Sequence, residues 1–239
     1  AGDSLIDSMT IASADGTTHT LLVAIQGSND APILTAQAQS VTEDGALLTG
    51  QMVATDVDKG DTQAFSTQNP PSGFTLNPDG SYRFDPSDTA YQRLAAGQTQ
   101  DLIIPVTVTD SAGATSTQNL VITVTGTNDA PVISGTATAN LTEDAATRSV
   151  TKTLTTTDAD AGDAAAWSLV GSGQGTYGQL VFDAQNHRWT YTLDNADADT
   201  NALHAGQRVT EIFQIAATDK AGATVTQEIR VNIAGANDA

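Results

Sequence analysis

Residues 27–34 are GSNDAPIL, residues 126–133 are GTNDAPVI, and the chain closes with GANDA at 235–239. The phrase recurs with Asn29, Asn128 and Asn237 spaced 99 and then 109 residues apart. No other feature restricts the fold as much, because each interval must hold one structural unit of a shared plan. Four further landmarks return in the same order: VTED (41–44) and LTED (141–144), DVDKGD (56–61) and DADAGD (158–163), LAAGQ (94–98) and LHAGQ (203–207), VTDSAGAT (108–115) and ATDKAGAT (217–224). The chain therefore divides into two complete repeats, 31–130 and 131–239. Residues 1–30 carry the C-terminal strands of a truncated preceding repeat, because MTIASADGTTHTLLVAIQGSND resembles the end of each later one.

Within the repeats, LIIPVTVTD (102–110), LVITVTG (120–126), RWTYTL (188–193) and IRVNIAG (229–235) are β-branched or aromatic runs that alternate with period two between Gly, Asn and Asp. No helical periodicity of comparable length is present. About 100 residues with some seven short strands and turn signals between them is the pattern of a Greek-key β-sandwich, so the expected fold is all-β, with tandem sandwich domains joined end to end by short linkers. The proline of NDAP lacks an N–H and fixes φ, so it ends one ladder and starts the next domain extended. The middles differ: NPPSGFTLNPDGSYRFDP (69–86) faces the longer GSGQGTYGQLVFDAQNHRWTYTL (171–193), and these are divergent hairpins within one plan. Tyr82, Phe84, Trp189 and Tyr191 fall on alternating positions as core rungs, whereas the pattern leaves Trp167 undecided between core and surface.

Twenty-eight acidic against nine basic residues give a formal net charge of −19, which excludes nucleic-acid phosphate and anionic membrane surfaces as partners and favours divalent cations. Without cysteine there is no disulfide framework and no thiolate metal site, so carboxylate oxygen, a hard ligand suited to calcium, is what remains. His19, His187 and His204 lie in different repeats without metal-ligand spacing, which argues against zinc. There is no apolar run of about 18 residues and no signal-peptide pattern at the start, so the chain is expected to be a soluble, monomeric excerpt of something longer, without membrane insertion. No nucleophile elbow, catalytic cysteine or phosphate-cradling glycine loop is present, and paired acids are too abundant to single out a glycosidase, so no enzymatic activity is expected.

TED, DxDxGD, GTYGxL followed by WTYTLDN, LxAGQ and GTNDAPV together resemble the VCBS repeat, and the layout is similar to cadherin-like modules of very large bacterial surface proteins. The resemblance covers essentially the whole chain and is most specific in the second repeat. The first repeat lacks GTYG and WTYTLDN and is nearer to the wider bacterial cadherin-like pattern. Such arrays typically belong to RTX adhesins exported by type I secretion, which implies an extracellular, cell-surface setting and a part in attachment or biofilm formation.

The strand order of a sandwich sends TED to the far end of its own domain and brings DxDxGD and the TDxAG turn back beside the incoming linker. Glu43, Asn128, Asp129, Asp158, Asp160 and Asp219 are therefore expected to form one Ca²⁺ junction, and Asn29, Asp30, Asp56, Asp58 and Asp110 the preceding one. Glu143, Asn237 and Asp238 would serve the next. Carboxylates converging at a boundary repel without a cation, and calcium takes six to eight oxygens from such mixed sets. The cadherin resemblance implies the same assignment: NDAP is similar to the second half of the linker DxNDNAP. Gly126 stands where that linker begins with Asp, and no DRE is present, which implies one or two ions per junction rather than three. Two other readings stay open. DVDKGD and DADAGD can be polar turns in which Asp bonds its own backbone, and Glu43 and Glu143 can be solvated strand ends. Neither loop is an EF-hand, because the Glu at loop position twelve is missing. KGD (59–61) resembles an integrin-binding tripeptide, and a calcium-loop neighbour is the simpler reading. The function expected is a non-catalytic, calcium-stiffened spacer whose partners are neighbouring repeats. The alternative is a module that recognises a glycan or host protein through its loops, with the 171–178 segment as its candidate.

Overall fold

A computed structural model describes residues 3–237. The described residues form nineteen strands and no helix. The chain divides into two compact units, one of residues 1–91 and 99–125, the other of residues 92–98 and 126–239.

The first unit begins with a two-stranded antiparallel hairpin, β1 (Ser4–Ala12) and β2 (Thr18–Gln26), whose residues are all exposed. A sandwich is built from β3 (Ile33–Leu34), β4 (Gln37–Thr42), β5 (Leu48–Gln51), β6 (Ala54–Thr55), β7 (Gln63–Thr67), β8 (Phe74–Leu76), β9 (Ser81–Phe84), β10 (Thr99–Asp110) and β11 (Thr115–Thr125). One sheet has the order β4-β11-β10-β7; β5-β9-β8 and the β3-β6 pair supply the strands of the opposite face. β3 begins immediately after Pro32, the residue whose missing N–H forbids an earlier start. β4 runs parallel to β11, while β10 pairs antiparallel to both β11 and β7. The alternation visible in the sequence points Leu102, Ile104, Val106 and Val108 of β10 inward with Leu120, Ile122 and Val124 of β11. Tyr82 and Phe84 face them as core rungs, as the alternation requires.

The second unit repeats the plan with β12 (Val132–Gly135), β13 (Thr138–Thr142), β14 (Ser149–Thr157), β15 (Ala166–Val170), β16 (Gly178–Asp183), β17 (Arg188–Leu193), β18 (Arg208–Thr218) and β19 (Thr224–Ala234). Its sheets are β13-β19-β18-β15 and β12-β14-β17-β16, again with the parallel pair between an early strand and the last one. The all-β Greek-key sandwich expected from the strand pattern is the fold found in both units. Trp189 and Tyr191 are fully buried. Trp167 is also in the core, 9% exposed, against the exposure that the sequence left open for it. It packs on Phe182, with ring centroids 5.8 Å apart, and stacks on the His187 ring at 5.0 Å.

Candidate metal centre

Short-range carboxylate geometry builds each acidic loop. In the first unit, Asp58 N–H donates to Asp56 Oδ1 at 2.8 Å, a local turn in which an Asp side chain substitutes for backbone. Asp58 Oδ2 accepts the Asp30 N–H at 2.8 Å, and Asn29 Nδ2 donates to Asp110 Oδ2 at 2.8 Å. Asp110 Oδ1 in turn accepts the N–H groups of Ala112 and Ala114 at 2.9 and 2.8 Å. The NDAP segment, the DxDxGD loop and the TDxAG turn are thus tied together at one pole.

The second unit reproduces this arrangement with one turn donor changed. Asp160 N–H donates to Asp158 Oδ1 at 3.0 Å, and Asp129 N–H to Asp160 Oδ2 at 2.9 Å. Asn128 Nδ2 donates to Asp219 Oδ2 at 2.9 Å, and Asp219 Oδ1 accepts the N–H groups of Gly222 and Ala223. Gly113 and Gly222, with φ of 93° and 98°, supply the left-handed residue that lets each turn fold back on its aspartate.

Donated hydrogen bonds favour the ionised form of Asp58, Asp110 and Asp219. The Asn29 amide first, and then the turn N–H groups, keep Asp110 below the usual carboxylate range; Asn128 and the equivalent N–H groups do so for Asp219. Backbone donation from Asp30 lowers Asp58 in the same way. Hydrogen bonds do not satisfy every oxygen, however. Asn29 Oδ1, Asp56 Oδ2 and Asp61 Oδ2 in the first unit, and Asp158 Oδ2 and Asp160 Oδ1 in the second, are buried without a hydrogen-bond partner. Asp160 is only 2% exposed. Buried acceptors of this kind are costly unless something positive meets them. The donor set consists wholly of carboxylate and amide oxygen, which fits a hard divalent cation and not a soft one.

The aspartates Asp56, Asp61 and Asp110 offer carboxylate oxygens all within 4.8 Å of one another. Asp61 is the residue that the sequence reading missed. Its signal is the last acid of DxDxGD, which lies outside the pair of aspartates that matches the cadherin pattern. In the second unit the equivalent Asp163 instead accepts the Lys220 N–H at 3.2 Å.

Glu43 and Glu143 occupy the opposite pole. Glu43 N–H donates to Thr125 O at the end of β11, and Glu143 N–H to Ala234 O at the end of β19. Each is 1% exposed, which rules out a solvated strand end. The tight turns that bury them place Asp44 and Asp144 at φ of 56° and 55°, the left-handed conformation that Asp tolerates. Glu143 Oε2 accepts the Ala236 N–H at 3.1 Å, beside Asn237, while its Oε1 has no hydrogen-bond partner. Asp238 lies outside the described residues.

The departure at Gly126 has a steric cause. A Cβ there would sit 2.1 Å from Leu94 O and 2.5 Å from Ala95 O, so no side chain fits. Gly126 N–H donates to Gln98 O and its carbonyl accepts from Gly97, which locks the LAAGQ segment against the linker. Gly235 meets the His204 and Leu203 carbonyls in the same way. The histidines do not converge: His187 stacks on Trp167, and no histidine joins a metal-capable group among the described residues.

Two β-sandwiches, each with buried acid oxygens gathered at the pole where NDAP enters, define the class of cadherin-like modules. Residues 29–126 and 128–235 both match the bacterial cadherin-like domain. The chain belongs to that family. Among solved structures, it is 17% identical to PcdhgB3 EC1-4, with a TM-score of 0.51 over 98% of this chain and 57% of that one, a likeness of fold. It thus spans little more than half the length of that structure. Protocadherin Gamma B7 extracellular cadherin domains 1-4 (18% identity, 97% and 57% coverage, TM-score 0.48) and Protocadherin Gamma C5 EC1-3 (15%, 97% and 77%, TM-score 0.49) also align. No curated protein matches the chain.

Proposed function

We propose that the chain is a set of non-catalytic extender repeats of a large secreted bacterial surface adhesin, with Ca²⁺ at each interdomain linker holding a distal binding domain away from the cell for attachment or biofilm formation. The observation that carries this reading is the repeated set of buried carboxylate and amide oxygens without hydrogen-bond partners at the NDAP pole. Asn29, Asp30, Asp56, Asp58 and Asp110 would hold calcium in the first repeat, and Asn128, Asp129, Asp158, Asp160 and Asp219 in the second. Glu43 and Glu143 would serve the linker that succeeds each repeat, Glu143 together with Asn237 and Asp238. Bound calcium would supply charge neutralisation that the hydrogen bonds leave incomplete. Membership in the bacterial cadherin-like family supports the assignment, and the VCBS resemblance of the second repeat supports export within an RTX-type protein. On the same reading, residues 1–30 are the last strands of a preceding repeat, 31–130 and 131–239 are the full repeats, and the array acts as a monomer outside the cell. No helix among the described residues is long and apolar enough to cross a membrane.

A second reading has one specific observation in its favour. An open groove of about 690 Å³, lined by Ser172–Tyr177 and Thr210–Gln214, lies where the 171–178 segment passes β18. A ligand-binding module for a glycan or host protein would use this groove, which the first repeat's shorter middle does not reproduce in sequence.

Calorimetric titration separates the two. The extender reading expects saturable calcium binding with Kd of about 10⁻⁴–10⁻³ M, abolished in the second repeat by Asp158→Ala with Asp160→Ala. A chain that takes up no calcium while binding a glycan on an array would overturn it.

A further inference from the structure

The two repeats carry the same acidic motif and complete it differently, a difference whose significance rests on the motif binding calcium. In the second repeat Asp163 accepts the Lys220 N–H, and Lys220 Nζ donates to Gly162 O, so an ammonium lies against the acidic loop. In the first repeat Ser111 stands in the place of Lys220 and donates to Asp61 Oδ1. Asp61 Oδ2 is left buried without a hydrogen-bond partner, and its carboxylate gathers with those of Asp56 and Asp110, all within 4.8 Å.

Both loops aim buried, unpartnered oxygens into the site. In the first repeat these belong to Asp56 and Asp61; in the second they belong to Asp158 and to Asp160, whose side chain is almost wholly buried. The difference between the sites is therefore a carboxylate that gathers with the cluster in the first and an ammonium against the loop in the second. We propose that Asp61 is a further calcium ligand and that Lys220 is an antagonist of the equivalent site, so that the first repeat binds more tightly and the chain fills in order as calcium rises. Ligand charge count, together with site rigidity, tunes calcium affinity in oxygen sites. Both changes act in the same direction, because a carboxylate attracts the cation and an ammonium repels it. The expected gap is about tenfold in Kd, or roughly 1.4 kcal/mol.

The test is a calcium titration of the whole chain monitored by ¹⁵N NMR, with the Gly113 and Gly222 amides reporting the two turns separately. The Gly113 signal should reach its midpoint at about tenfold lower calcium. Asp61→Asn, close in size, should move that midpoint up severalfold and leave Gly222 unchanged, with unaltered amide shifts in both cores showing that the fold is intact. Lys220→Ser should tighten the second site, and Asp163→Asn should leave it nearly unmoved. Coincident midpoints in the unaltered chain, or an Asp61→Asn variant whose Gly113 midpoint does not move, would overturn the ranking while leaving the calcium sites standing. If neither turn responds at about 10 mM calcium, the calcium reading falls, and the ranking with it.

Discussion

Glu211 is the acid in this chain whose removal should be felt most. It is 8% exposed in β18, and Oε1 accepts the N–H groups of Thr176 and Tyr177, the latter at 3.0 Å, while Oε2 accepts the Tyr191 hydroxyl. It thereby anchors the 171–178 segment to the core. A Cβ on Gly175 would lie 2.3 Å from Oε1, so this segment fits only with glycine at its closest approach. The repeat alignment puts Leu102, also 8% exposed, at the equivalent position of the first sandwich, so an apolar side chain is compatible with the strand itself. Glu211→Leu would leave three donors without their acceptor. At about 1–3 kcal/mol for each donor left unsatisfied, against about 2 kcal/mol regained from burying the leucine, the net loss should be about 3 kcal/mol. Glu211→Gln, which keeps an acceptor oxygen and loses the charge, should cost about 1 kcal/mol. Both tryptophans, Trp167 and Trp189, belong to the second repeat, so thermal unfolding monitored by tryptophan fluorescence reports that repeat selectively. The leucine variant should lower its Tm by roughly 12–24 °C and the glutamine variant by about a third of that. A Glu211→Leu protein that melts with the unaltered chain would refute the claim that this carboxylate holds the segment in place.

At roughly 10 mM free calcium, binding with Kd of about 10⁻⁴–10⁻³ M should stabilise each site by about 1.4–2.7 kcal/mol; Asp158→Ala with Asp160→Ala should remove most of this gain from the second repeat in calorimetry, and a change at Asp194, whose carboxylate accepts the Ala196 N–H of its own turn, should not. Burial first, and then its hydrogen bond to Glu211, raise Tyr191 above its usual 10.0. Its contribution to stability is therefore complete below about pH 10 and lost as the pH climbs beyond it, so the tryptophan-monitored midpoint in urea should fall across that range. Gly126→Ala forces a methyl group onto two backbone carbonyls, and a loss of about 1–3 kcal/mol is expected in chemical denaturation.

The sequence made the repeat, the sandwich and the acidic pole legible because each rests on local rules. Period-two alternation decides which face of β10 and β18 is buried, and an Asp two residues before its N–H partner makes the same turn wherever it occurs. Burial that depends on distant segments was not legible. Trp167 lies on a five-residue strand, and whether it is covered depends on Phe182 and His187. Asp61 and Asp163 occupy equivalent places in the motif, and only the residue about fifty positions later, Ser111 or Lys220, decides which carboxylate stays with the acidic cluster. The glycine that interrupts the cadherin-type linker was visible as a departure. Its cause was not, because the Leu94 carbonyl that excludes a side chain comes from a loop without regular structure.

Calcium restraint of the linkers between repeats is the property on which the proposed extender function depends. Small-angle scattering of the whole chain, first in about 10 mM calcium and then in excess chelator, tests it most directly. The account predicts a narrow distribution of maximum dimension with calcium, broadening toward shorter values when chelator leaves the carboxylates within each site, Asp56 with Asp110 and Asp158 with Asp160 and Asp219, without a cation between them. A distribution indifferent to chelator, with an unchanged Tm, would contradict it and leave NDAP as a turn between two domains that need no metal.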